Sequence, residues 1–296
     1  MERIWKSGLA FIAAVLIWVS PLYADSYTFR TIDFPGASGG TLAYGINNAG
    51  QIVGEYSGSG VSISGFILED GKYTQIEVPG STNTTCTGIN NVGQIVGVFS
   101  DPDGRHGFSK IENSFTVIDY SGGQNTGCHG INQAGDIVGS YDDLGAITHG
   151  FLKVNGTFTT LPDNPGHDNP IPYGINDAGI ISGYYDSFVP IGFIYHNGIY
   201  TDIWFTPSSA TWVYGINNKG HIVGAYLDGA GGHGFVKRGE SYTTIDIPEA
   251  TETVVKGIND AGQVVGYYID QDSKFHGFLA TPINSSAPNL LLLLDG

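Results

Sequence analysis

The sequence predicts an all-β fold: a six-bladed β-propeller of four-stranded blades, closed by an N-terminal strand that completes the last blade. Three observations carry the prediction. The phrase Gly-Ile-Asn-x-x-Gly-x-Ile/Val-Val/Ser-Gly starts at Gly45, Gly88, Gly130, Gly174, Gly215 and Gly257, at spacings of 43, 42, 44, 41 and 42 residues. Units of this period bury their apolar faces only by stacking on their neighbours. Within a unit, short alternating runs are broken by Gly-rich turns, and no helical period appears. Finally, the strand missing after the last unit stands at the other end of the chain.

The first unit shows the four strands in order. Residues 42–47 lead into Asn48-Ala49-Gly50, a tight-turn signal, and residues 51–56 follow as a second strand. A loop of Gly and Ser spans 57–62. The third strand, 64–68, carries Gly65-Phe66, and Asp70-Gly71 turns the chain into a fourth strand at 73–78. The Gly-Phe pair recurs at Gly107, Gly150, Gly192, Gly234 and Gly277. The fourth strand recurs as an aromatic residue followed by Thr, as in 115–119, 158–161, 200–203 and 242–246. After Gly277-Phe278 no such strand follows. Its copy is Tyr27-Thr28-Phe29-Arg30-Thr31-Ile32-Asp33, so this segment is expected to complete the last blade and close a ring.

Composition narrows the function. A hydrophobic content of 41% over 296 residues supplies a core, and the 45 glycines fall at fixed places in the repeat, as turns require. Lys and Arg number 12 against 28 Asp and Glu, for a net charge of −16. Such a chain is a poor partner for nucleic acid or anionic membranes and suits cations, neutral sugars or basic partners. Arg3, Lys6, the apolar run 8–19 and Ala24 read as a signal peptide over residues 1–24, cleaved after Ala24. Residues 25–284 are then one propeller and 285–296 a C-terminal tail. The tail's leucine run, 290–294, is too short to span a bilayer. The expected product is a secreted monomer, extracellular or periplasmic, with no stable membrane span after cleavage. Cys86 and Cys128 each lie two residues before a motif glycine. Two readings stand open: a disulfide between neighbouring inner strands, or two small apolar core residues.

These units, Gly45 through Gly54 followed by triplets such as His106-Gly107-Phe108, resemble the HAF-type extracellular repeat family of bacteria. The family's His-Ala-Phe triplet stands here as His-Gly-Phe, and Ser64 and Ile191 replace the His in two units. The resemblance covers nearly all of the chain after residue 26. It implies a secreted or surface propeller-like protein and brings no established activity with it.

The repeated letters read as structural. Glycines such as Gly54 and Gly97 end the second strand or let blades pack closely, and the motif asparagines cap their own turn, the alternative being a ring of six that lines the channel and binds a ligand. His106, His149, His233 and His276 open the third strand, too far from the axis to share a metal; each imidazole is expected to bond a neighbouring loop carbonyl. The loop Asp101-Pro102-Asp103-Gly104 is a fragment of a calcium loop without its distal Glu, and Asp101 with Asp103 is the one metal candidate. No other cofactor is implied. The position before each motif glycine does not repeat: Tyr44, Thr87, His129, Tyr173, Tyr214 and Lys256. These residues, with Trp212 and Trp204 nearby, are expected to rim the axis on the face of the crossover loops. Tyrosine faces with hydrogen-bonding neighbours suit sugar rings. The expected function is therefore a binding or scaffold module for a glycan or a surface protein. The alternative is a polysaccharide-active hydrolase or lyase using His129, Lys256 and acids from the crossover loops at the axial channel mouth. No Gly-x-Ser-x-Gly, His-Glu-x-x-His or phosphate loop is present.

Overall fold

The computed structural model describes residues 27–58, 62–167 and 169–283. The signal segment and the C-terminal tail lie outside them. Among the described residues there are 24 strands, β1 to β24 in chain order. The first unit, β2 (Gly40–Ile46), β3 (Ile52–Ser57), β4 (Ile63–Glu69) and β5 (Lys72–Ile76), is one antiparallel sheet in that order. The next three units repeat it, starting from inner strands β6 (Asn83–Ile89), β10 (Gln124–Ile131) and β14 (Pro170–Ile175). The fifth and sixth begin with β18 (Ala210–Ile216) and β22 (Glu252–Ile258). Six separate sheets were expected, and this is corrected: four sheets stand alone, while the last seven strands and β1 form one eight-stranded sheet. A single parallel bridge, Gly232 to Glu252, joins its two halves.

The displaced strand behaves as its sequence implies. β1 (Tyr27–Ile32) pairs antiparallel with β24 (Phe275–Pro282), and Ile32 stands opposite Gly277. Elsewhere Ile76 stands opposite Gly65, Ile118 opposite Gly107, Ile203 opposite Gly192 and Ile245 opposite Gly234. Residues from the two ends of the chain thus share the register used inside every other unit.

The core lies between units. Val96 of the second unit packs with Ile118, Cys128 and Ile131, and Val53 of the first packs with Ile76, Cys86 and Ile89. Phe66, Phe108, Phe151, Phe193, Phe235 and Phe278 are fully buried. Each such ring needs a glycine in the second strand: a Cβ at Gly97 would lie 2.0 Å from the Thr85 carbonyl oxygen and 2.7 Å from the Phe108 ring. Of the two readings of these glycines, close packing holds: they sit inside the second strand, opposite the inner strand, and do not end it. Buried threonines tie the crossovers down. The Oγ1 atoms of Thr41, Thr84, Thr126, Thr211 and Thr253 accept the N–H groups of Phe34, Val78, Tyr120, Phe205 and Ile247.

The disulfide is overturned. Cys86 and Cys128 are free thiols in two different inter-unit cores. Cys86 packs toward Gly65 of the preceding unit, and Cys128 toward Gly107. Identical positions in successive units are thus separated by a whole unit, and each thiol fills the space left by a glycine. Burial raises both thiols, Cys128 to about 12.

Candidate functional site

Each inner strand carries a β-bulge at the position before its motif glycine. In β2 the register to β3 runs Ala43 to Gly54 and then Gly45 to Val53, leaving Tyr44 unpaired. The same shift leaves out Thr87, His129, Tyr173, Tyr214 and Lys256. A bulge re-aims its extra side chain. Here all six point to one place: together they line a narrow channel of about 110 Å³ and, above it, a wider cavity of about 410 Å³. Six non-repeating residues named from sequence are brought together.

The cavity widens toward the second and third units. It takes in Asn83, Thr85, Phe99, Ser100 and Arg105. Three residues before the motif glycine stand Thr85 and Gly127 in those units, where the others carry Leu42, Ile171, Trp212 and Val254. Gly127 leaves room for Arg105. A Cβ there would lie 2.9 Å from the Arg105 Nη2 atom and 3.2 Å from the His129 Nε2 atom. Trp212 is half-buried on β18 and is not part of the cavity lining. Trp204 is also half-buried outside it, its carbonyl accepting from the Tyr242 hydroxyl.

The lining is aromatic and tightly held. His129 donates from Nδ1 to the Pro172 carbonyl at 2.8 Å and stacks on Tyr173 at a ring separation of 4.7 Å. Burial pushes its pKa down to about 4, so at neutral pH the ring is uncharged and Nε2 is an acceptor. The Tyr173 and Tyr184 hydroxyls bond at 3.1 Å. The Tyr44 hydroxyl and the Thr85 hydroxyl donate to the two carboxylate oxygens of Glu55, at 3.0 and 2.6 Å. The Lys256 ammonium lies 3.3 Å from the centre of the Tyr214 ring, with Tyr267 and Tyr173 at 5.8 and 6.0 Å. Burial lowers its pKa to about 7 against the opposing pull of Glu55 and Glu252. Burial also raises Tyr44 and Tyr214, which stay protonated donors across the ordinary pH range.

Sequence reading missed a second variable ring. The residue after each strand-two glycine is Glu55, Val98, Ser140, Tyr184, Ala225 or Tyr267. Four of these touch the bulge residues: Glu55 holds Tyr44, Tyr184 holds Tyr173, Tyr267 faces Lys256, and Ser140 lies 3.4 Å from His129. The same criterion, variability on a fixed scaffold, would have found them. Arg105 carried no such signal, because it reaches the cavity from the start of the third strand of its unit, away from the inner strand.

The opposite end of the axis is built from repeated residues. Asn47 accepts at Oδ1 from the N–H groups of Ala49 and Gln51, its own turn, and donates from Nδ2 to the Asn90 carbonyl. Asn90 donates likewise to Asn132, Asn132 to Asn176, Asn176 to Asn217, Asn217 to Asn259, and Asn259 back to Asn47. A second ring runs beside it, each following residue donating its N–H to the side chain of the next unit, from Asn48 to Asn91 and finally from Asp260 to Asn48. These groups are spent on closure, and the space they enclose is about 80 Å³.

The other candidates are structural. Asp101 accepts at Oδ1 from the N–H groups of Asp103 and Gly104, closing its own turn. No cluster of three or more His, Cys, Asp or Glu able to hold a metal exists among the described residues. Asp101, the first of the two residues of the calcium expectation at Asp101 and Asp103, is engaged by its own turn and lies 3.4 Å from His106. His106 lies between Asp119 at 3.0 Å and Asp101 at 3.4 Å, His233 between Asp246 and Asp228, and His276 between Asp33 and Asp270. His149 contacts Asp143. Carboxylates, not the expected loop carbonyls, hold these rings.

No family model and no curated protein matches the chain. Solved structures do. It is similar to an arginine mutant of AofleA from Arthrobotrys oligospora, at 12% identity over 87% of this chain and 90% of that one, with a TM-score of 0.54. It is similar to an Aleuria aurantia lectin mutant in complex with Fucα1-6GlcNAc, at 12% identity over 84% and 93%, with a TM-score of 0.54. A putative TolB from Agrobacterium tumefaciens matches at 11% identity over 82% and 91%, with a TM-score of 0.56. The fold is that of a β-propeller. At such identities the likeness speaks for the architecture and not for any site.

Proposed function

We propose that this chain is a secreted six-bladed propeller of the HAF-type repeat family that binds a saccharide in its axial cavity. One observation carries the reading: six bulges turn the six non-repeating inner residues into a single cavity of about 410 Å³. A volume in this range, lined by tyrosines and a few placed polar groups, suits a small ligand with apolar ring faces and hydroxyls. The likeness in fold to lectins, one of them solved with α-methyl-L-fucoside, supports a saccharide over a protein partner. Binding is favoured over turnover because Glu55 is engaged by two hydroxyls and His129 by a carbonyl. Among the described residues no helix is long and apolar enough to cross a membrane.

The test is a glycan array followed by calorimetry on the purified chain. Saturable saccharide binding is expected, abolished by Thr87→Trp, which fills the cavity while leaving the melting temperature within a few degrees. An array with no hits, or binding indifferent to Thr87→Trp, sinks the reading. Release of new reducing ends from a bound polymer would replace it with the enzyme alternative.

A further inference from the structure

The charges of the cavity run against those of the chain. Carboxylates outnumber Lys and Arg by 28 to 12 overall, yet no Asp or Glu lines the cavity and two of the cations do, Arg105 and Lys256. Neither has an ion-pair partner among the described residues. Arg105 spends one N–H on the Asn125 carbonyl, and among the described residues Lys256 makes no hydrogen bond and is held over the Tyr214 ring. Of the two carboxylates that act on Lys256, Glu55 is occupied on both oxygens by Tyr44 and Thr85. Elsewhere in the molecule the usual rule holds, and histidines sit against Asp. Keeping an unpaired ammonium in a partly dry cavity is costly unless a ligand supplies the counter-charge.

Resting on the saccharide reading, we propose that the ligand is an acidic sugar, a uronate unit whose carboxylate is bound by Arg105 and Lys256. Arg105 offers its guanidinium fork across the gap left by Gly127, and a planar fork matches a carboxylate. Lys256 supplies a second charge from the ring of tyrosines. Asn83, Thr85 and Ser100 line the same space and serve hydroxyls. The groups facing Lys256 are Glu55 on β3, Glu252 on β22, Tyr267, Tyr173, Tyr214 and His129. Of these, burial lowers the pKa of His129 and raises those of the three tyrosines, which favours their neutral forms. With the Lys256 pKa lowered to about 7 in the free protein, a bound carboxylate restores the charged form, so binding above pH 7 takes up a proton.

The experiment is calorimetry on the full chain with trimers of galacturonate, glucuronate and mannuronate, the neutral trimers of the corresponding hexoses, and a sulfated neutral trimer. At least one uronate is expected to bind tenfold or more tightly than its neutral counterpart. Arg105→Gln and Lys256→Met are each expected to weaken it at least tenfold, and Arg105→Lys by less. Proton uptake, read from the dependence of heat on buffer ionisation, vanishes in Lys256→Met. Arg105 is exposed, so its variants fold, which thermal melting verifies. Equal affinity for neutral and acidic trimers, or preference for the sulfated one, overturns this inference and leaves the saccharide reading intact. Binding to none of them, with an empty array, overturns both.

Discussion

The two ends of the axis are made from the same six strands and do opposite things. At the turn end, Asn47 and its five counterparts are each no more than 5% exposed, hold their own turn, and reach one unit onward. At the bulge end, Tyr44, Thr87, His129, Tyr173, Tyr214 and Lys256 share a backbone position and span four residue types. Where every member must satisfy its neighbour, one residue type suffices and the ring closes tightly. Where the bulge frees the side chain from the ladder, the residue can vary and the ring opens into a cavity.

The largest break in this contrast comes from the scaffold both ends share. Gly97→Ala puts a Cβ 2.0 Å from a carbonyl oxygen that cannot move aside, and is expected to cost about 4 kcal/mol or more. Chemical denaturation reads it; a midpoint near wild type would refute the packing account. Next, Asn90→Ala removes a link of the closed ring and two turn bonds, at about 2–4 kcal/mol. Thr87→Ala, at the equivalent strand on the other end, loses the hydroxyl's single donation, made to the Cys128 carbonyl at 2.7 Å, and is expected to cost about 1 kcal/mol. Similar losses at both ends would erase the distinction.

Lys256 sharpens it through pH. Its folded pKa is lowered from 10.5 to about 7, so between these values the unfolded chain binds the extra proton. Stability therefore rises as pH increases from about 7 toward 10. Above pH 10 the raised tyrosines Tyr44 and Tyr214 act in the opposite sense. Urea midpoints across pH 7–10 should climb in the native chain and stay flat in Lys256→Met. The smallest effect belongs to the outer His–Asp contacts. Asp228 and Asp270 are lowered from 3.8, first by the backbone N–H groups of Ala230 and Lys274 and then by His233 and His276. Their stabilisation is present above pH 3.8 and is lost as pH falls through the lowered values. Asp228→Asn should reduce the acid sensitivity of the melting temperature slightly and leave ligand binding untouched.

Much of the fold was legible because its signals are local. Asn48-Ala49-Gly50 marks its turn without reference to the rest of the chain, and the missing fourth strand could be matched to residues 27–32 by pattern alone. The variable inner position was legible too, since the repeats act as internal controls for one another. The bulge that makes this position inward-facing was not, nor was the second ring of Glu55, Tyr184 and Tyr267. The cysteines show the limit plainly. Equal places in adjacent repeats suggested proximity, and the intervening unit, a matter of three-dimensional stacking, keeps Cys86 and Cys128 in separate cores.

Residues a few places apart thus specified the strands, the turns, the six repeats and the net negative charge, because periodicity and turn chemistry act over short range. The cavity was decided only when the ring closed. Arg105 over Gly127, Lys256 over Tyr214 and the engaged Glu55 are neighbours across an axis that joins residues more than 150 positions apart. A local cation excess inside an acidic protein depends on which side chains meet in space, and no run of sequence records that meeting.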